Sequence, residues 1–286
     1  MIVSASYRTD IPAFFPAWFR DRLAAGFCEV ANPCGGKPYR VGLGPEEAEG
    51  FVFWTRNAAP FRDTLSELAR QNRPFVVQFT VTAYPRALDA HTLRAEETVG
   101  QIAALAREFG PRATVWRYDP VVFSSLTEAA WHAEAFARLA AALRGAVDEC
   151  VVSVMQPYRK TARRLDAAAR ERGFVWRDPD EGEKRALLAR LAEIAGNEGI
   201  QLTLCSQPDL VSPDIRGASC VDAARLSDVA GREIAARRKG NRPGCLCAES
   251  RDIGAYDSCA HGCVYCYAVS DHAKAAQRAG SGAPVP

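Results

Sequence analysis

The stretch "FVFWTRNAAPFRDTLSELARQNRPFVVQFTVT" (51–82) holds one complete unit of the fold. "FVFWT" (51–55) and "FVVQFTVT" (75–82) are β-branched and aromatic runs too short for helices, so each reads as a strand. Between them, "FRDTLSELARQ" (61–71) sets Leu65, Leu68 and Ala69 three or four apart among charged residues, the period of an amphipathic helix. A helix between two strands is the crossover of a βα unit, and the strands it joins are parallel.

The same rhythm extends to both sides. Further strands are expected at "IVSAS" (2–6), "CEVAN" (28–32), "TVWRY" (114–118), "CVVSVM" (150–155), "IQLTLC" (200–205) and "SCVD" (219–222). Helical periods cover 95–110, 127–145, 160–173 and 181–199, and Gly110, Gly145, Gly173 and Gly199 stand where those helices should stop. About eight strands alternating with helices predict an α/β fold, a (β/α) barrel complete or partial, with a doubly wound open sheet as the competing arrangement. The barrel is expected over 1–239 and a cysteine-rich segment closing over it over 240–275, entered through the linker "GNRPG" (240–244). Residues 276–286, ending in "GSGAPVP" (280–286), read as a disordered tail.

With 286 residues, 48% of them apolar, the chain can bury a sizeable core, and no apolar run approaches membrane-spanning length. "MIVSASY" at the start carries no basic leader or cleavage site, so the expected location is the cytoplasm, without membrane contact. Thiols stay reduced there, and clustered cysteines then point to metal or redox chemistry rather than structural disulfides. The formal net charge of +2 gives no general reason to expect nucleic acid, and the basic run "REIAARRKGNR" (232–242) is diluted by Glu233 and nearby Asp228.

In a barrel, sites form where strands end and βα loops begin. Those positions are rich in polar residues: Arg8, Thr9 and Asp10 in "SYRTD"; Arg56; Arg117, Tyr118 and Asp119 in "WRYDP"; Tyr158 and Lys160. Each has an ordinary structural explanation. Asp10 would cap a helix starting near Ile11, Asp119 before Pro120 would shape a turn, and the arginines would pair with carboxylates. Together they predict a rim pocket for an anionic or zwitterionic small molecule, with Tyr118, Tyr158 and Lys160 as candidates for proton or hydrogen transfer.

Five of the ten cysteines fall in "CLCAESRDIGAYDSCAHGCVYCYA" (245–268). Cys259, Cys263 and Cys266 follow a Cys-x3-Cys-x2-Cys pattern, which can hold three irons of a [4Fe–4S] cluster on one loop, with Gly262 letting the backbone turn closely. Cys245 and Cys247 could supply a fourth ligand, bind a second metal, or join the other three in a zinc site. His261 and His272 are further candidate ligands, while Cys28, Cys150, Cys205 and Cys220 sit in apolar strand contexts and read as core. Cys34 in "NPCGG" stands in a loop.

"CAHGCVYCY" (259–267) resembles the cluster loop of radical S-adenosylmethionine enzymes, particularly the spore photoproduct lyase group. The resemblance implies an iron left open for the amino and carboxylate groups of S-adenosylmethionine, Tyr265 packing near the adenine, and a reductase or flavodoxin- or ferredoxin-type electron donor. In most such enzymes the loop follows the first strand. Here it comes last and would fold back over the open rim. From end to end the chain also resembles a family catalogued as domain of unknown function 1848, through "SASYRTDIPAF" (4–14), "VFWTRNAAPF" (52–61), "WRYDPV" (116–121) and the cysteine-rich tail. The expectation is an iron–sulfur enzyme of the radical type; the alternative is a redox or structural cluster, or zinc, without radical chemistry.

Overall fold

The structure, a computed structural model, describes residues 1–32 and 35–283, so Cys34 and the last three residues lie outside it. In chain order its elements are β1 (Ile2–Ala5), α1 (Ile11–Phe14), α2 (Pro16–Ala25), β2 (Phe27–Val30), β3 (Tyr39–Gly42), β4 (Gly50–Thr55), α3 (Arg62–Arg70), β5 (Phe75–Thr80), α4 (Ala95–Phe109) and β6 (Thr114–Val121). Then follow α5 (Ala129–Leu143), β7 (Glu149–Val154), α6 (Arg159–Arg172), α7 (Glu181–Asn197), β8 (Gln201–Leu204), β9 (Arg216–Gly217), α8 (Ala223–Ala230), β10 (Ser250–Asp252) and α9 (His272–Ser281).

Eight strands form one parallel sheet in the order β10-β1-β4-β5-β6-β7-β8-β9. From β1 onward the order rises with the sequence, without the reversal of a doubly wound sheet. Strand alternation gives the sheet two faces. Val3, Phe53, Val77, Trp116, Tyr118, Val152 and Leu202 belong to the large core shared with the helices. Ile2, Val52, Val76, Val115 and Val151 form a second cluster with Cys205, Cys220 and Cys247. Along this second face the residues nearer the strands' C-terminal ends turn polar: Ser4, Gln78, Arg117 and Ser153 are all buried there.

Two of the expected strands are corrected. "CEVAN" does not enter the sheet: β2 pairs antiparallel with β3, Cys28 opposite Val41, in a separate two-stranded ribbon. Its exposed Glu29 between buried Cys28 and Val30 is a one-face pattern, whereas a central parallel strand is covered on both faces. "SCVD" is not a strand either. The eighth unit pairs through Arg216–Gly217, and Asp222 instead caps α8 by accepting from the Ala224 and Arg225 amides (2.9 and 3.2 Å).

The cysteine-rich segment does not merely follow the sheet. Its β10 runs parallel to β1, Ser4 opposite Asp252, and the Ala248 amide donates to the Val221 carbonyl (2.9 Å) on the β9 side. "GNRPG" is the turn between 237–239 and 247–249, which are joined by Lys239 N to Cys247 O (3.0 Å) and Glu249 N to Arg237 O (2.8 Å). Residues 276–281, expected to be loose, belong to α9.

Candidate active site and cysteine loop

A cavity of about 230 Å³ opens at the C-terminal ends of the strands. Arg8, Asp10, Arg56, Arg117, Asp119 and Tyr158 line it, as do Cys259, His261, Cys263, Tyr265 and Cys266 from the tail. Strand ends and cysteine loop therefore face one space. Of the rim candidates, Tyr118 and Lys160 do not line it, nor do Cys245, Cys247 and Gly262 of the tail. Arg117 and Asp119 share the cavity-facing side of β6, so Tyr118 between them points to the helices, where its hydroxyl meets His132 Nδ1 at 2.8 Å. Lys160 is exposed at the start of α6.

The three arginines are held by carboxylates. Arg8 Nε donates to Asp252 Oδ1 (2.9 Å), Arg56 Nη1 to Asp89 Oδ2 (2.8 Å), and Arg117 to Asp119. Burial pushes the Asp119 carboxyl up, but the Arg117 guanidinium and the Ser153 hydroxyl outweigh it and hold it below the usual carboxylate range. Asp10 caps α1 through Oδ1, which accepts from the Ala13 amide (2.9 Å). Its Oδ2 accepts from the Arg56 amide (2.8 Å) and lies 2.7 Å from His261 Nε2. Arg242, not singled out from sequence, also lines the cavity and enters none of these ion pairs; its Nη2 donates to Cys205 Sγ (3.5 Å).

The cysteine loop is clamped by residues 84–91. The Val264 amide donates to the Leu88 carbonyl (3.0 Å) and the His91 amide to the His261 carbonyl (2.9 Å). Tyr265 donates to Asp89 Oδ1 (2.6 Å) and accepts from Arg56 Nη2 (2.7 Å), so one buried carboxylate fixes both the rim arginine and the loop tyrosine. Gly262 has φ +72°, and a side chain there would press on His91 Cδ2 at 2.9 Å, so the glycine serves close approach to this clamp. Burial pushes the Cys259 and Cys263 thiols up. Arg164, on α6, has all three guanidinium nitrogens buried without a hydrogen-bond partner, in the neighbourhood of Cys266, Asp257 and Cys263.

Cys245 and Cys247 are placed with other cysteines. Cys247 adjoins Cys220 and Cys245, and Cys220 Sγ is 3.7 Å from Cys205 Sγ. Cys205 and Cys220, read from sequence as core, thus have thiol neighbours that no sequence spacing reveals. His272 stands at the start of α9 with Nδ1 unpartnered, and burial followed by Arg164 and Arg172 pulls its pKa down. Among the described residues, no three His, Cys, Asp or Glu side chains surround one point as the ligands of a single ion do.

The match to known families covers both halves of this site. A family model described as "Domain of unknown function (DUF1848)" matches residues 2–268, from β1 through the last cysteine of the loop. No curated protein matches the sequence. With nearly its full length matched, strand ends and cysteine loop included, the chain belongs to the DUF1848 family.

Proposed function

We propose that this protein is an iron–sulfur enzyme of the radical S-adenosylmethionine type, acting on a small zwitterionic molecule in the cavity. The observation that carries the reading is the shared cavity: Cys259, Cys263 and Cys266 open into it together with Tyr265 and with Asp10, Arg117 and Asp119 of the rim. The donor set fits a cluster. Cys259 and Cys263, pushed up by burial, need a metal to ionise them, and ligands of a four-iron cubane lie farther apart than those of one ion. Arg164 fits as well, because a guanidinium with no partner beside Cys263 and Cys266 is costly next to neutral thiols and favourable next to an anionic cluster. Cys247 adjoins Cys220, and Cys245 adjoins Cys247, away from the loop, which suits a fourth iron left open rather than capped by cysteine.

When bound, the cluster would supply one electron for reductive cleavage of S-adenosylmethionine, drawn from a reductase or a flavodoxin- or ferredoxin-type donor. The chain's own residues bind and orient. Arg8, Arg56 and Arg117 are neutralised by Asp252, Asp89 and Asp119, so the charges remaining on the wall are Arg242 and Asp10, the latter shared with His261. One cation and one anion from separate segments of the wall suit a zwitterion better than a plain anion. Tyr158 stands exposed at the mouth, where it can shield the cavity from water. We further read the parallel sheet as a closed barrel, joined through Ala248 and Val221, and the protein as cytoplasmic, where its thiols stay reduced.

The test is electron paramagnetic resonance of the anaerobically reconstituted, dithionite-reduced protein with and without S-adenosylmethionine. A [4Fe–4S] signal that changes on addition of the cofactor, and is lost in Cys263→Ala, supports the reading. An unchanged signal, or no iron uptake, overturns it.

A further inference from the structure

A second group of sulfurs lies away from the loop. Cys205 follows β8, Cys220 follows β9, and Cys245 and Cys247 precede β10, so three separate segments bring four thiols together. Their side chains contact one another in the order Cys205, Cys220, Cys247, Cys245. The plain reading is that buried cysteines are small hydrophobes, and Cys205, Cys220 and Cys247 do sit in an apolar cluster. The donors around them argue otherwise. Arg117 Nη1 donates to Cys220 Sγ (3.1 Å), Arg242 Nη2 to Cys205 Sγ (3.5 Å), and the Val221 amide to Cys247 Sγ (3.3 Å). A neutral thiol is a weak acceptor, so three N–H donors aimed at three neighbouring sulfurs suit thiolates better than thiols.

From this geometry we infer a second, sulfur-ligated metal site, in which Cys205, Cys220, Cys245 and Cys247 bind one zinc-class divalent cation. Adjacent thiolates repel unless a cation lies between them, and the N–H groups of Arg117 and Arg242 can donate to sulfurs that stay anionic around a divalent ion. A tetrahedral site with Zn–S of about 2.3 Å sets its sulfurs about 3.8 Å apart. Cys205 and Cys220 already stand at 3.7 Å. The sulfurs form a string rather than a cage, and binding must draw its ends together; the end that moves is Cys245, half-buried at the exposed turn 240–244. Each thiol that binds gives its proton to solvent, so uptake is pH-dependent. The bound ion would tie β8, β9 and β10 together beside the cavity, which Cys205 also lines.

This site does not rest on the reading of the loop, and the experiment separates the two. Protein carrying Cys259→Ala, Cys263→Ala and Cys266→Ala is purified from zinc-replete cells and its metals are measured, with and without the added change Cys245→Ser. Cobalt uptake by the metal-free protein, followed by thiolate charge-transfer absorption, is the second readout. About one equivalent of zinc retained in the loop variant, and at least a tenfold weaker cobalt affinity with Cys245→Ser, support the site. Zinc lost together with the loop cysteines, iron in place of zinc, a Cys205–Cys220 disulfide, or four freely alkylated thiols with no metal each overturn it.

Discussion

Asp252 shows how a carboxylate with no motif of its own can organise the rim. Its oxygens accept from Ser4 Oγ (2.9 Å), Ser6 Oγ (2.7 Å), the Tyr7 amide (3.0 Å), Arg8 Nε (2.9 Å) and the Gly254 amide (3.1 Å). Arg8 and Asp252 are each about 5% exposed at the side chain, so neither can fall back on water. Asp252→Ala leaves a buried guanidinium uncompensated, and the expected loss is about 3–5 kcal/mol of folding free energy, read by urea unfolding. A loss below about 1 kcal/mol would mean that Arg8 finds another partner, and the pair would not be what holds the first strand's loop. Arg8 was legible in the sequence as a polar residue at a strand end. Its partner, 244 positions away, was not, because pairing across a sheet edge leaves no local periodicity.

The β6–α5 contact carries a pH dependence of its own. Tyr118 and Trp116 point from β6 onto α5, where His132 is fully buried; its Nε2 lies 3.1 Å from the Val122 carbonyl and its Nδ1 2.8 Å from the Tyr118 hydroxyl. An imidazole that donates to the carbonyl and accepts from the phenol is neutral, and burial pulls its pKa down to about 4 from 6.5. The folded state therefore binds this proton less readily than the unfolded chain. The contribution is complete above pH 6.5, shrinks as pH falls toward 4, and is gone below that, a loss of roughly 3 kcal/mol. Urea unfolding of the native protein and of His132→Gln at pH 7 and pH 4.5 should show the native protein losing roughly 2–3 kcal/mol more. Equal losses would place the acid sensitivity elsewhere. The helices involved were legible from their period, α5 within two residues at each end, because one apolar face repeats every three or four positions. Alternation along "TVWRY" also separates Arg117 from Tyr118, but which parity faces the cavity is decided only when the neighbouring strands fall into register.

What links the two ends of the chain is the placement of β10. A parallel strand buried on both faces needs partners along both edges, and β1 has β4 on one side and only the tail's Ser250–Asp252 on the other. The same tail supplies the acceptor of Arg8, the Ala248 amide for Val221, and the cysteine loop with Tyr265 on Asp89. The strand–helix rhythm foretold the sheet, and the Cys-x3-Cys-x2-Cys spacing drew attention to a segment whose cysteines line the cavity. That the tail would also complete the sheet could not be read, since three residues in "SRDIG" are too short a run to register as a strand. Two truncations follow from this arrangement. A chain ending at Ser270 loses only α9, whose buried contact is the small side chain of Ala275, and should keep a single cooperative thermal transition by circular dichroism. A chain ending at Gly244 exposes the β1 edge, strands Arg8 in the interior and removes the partners of residues 219–221, a combined loss on the order of the 5–15 kcal/mol that holds an ordinary domain together. It should show no cooperative transition and should aggregate. A cooperative transition in that shorter chain, near the midpoint of the longer one, would mean that the tail docks on a finished fold instead of forming part of it.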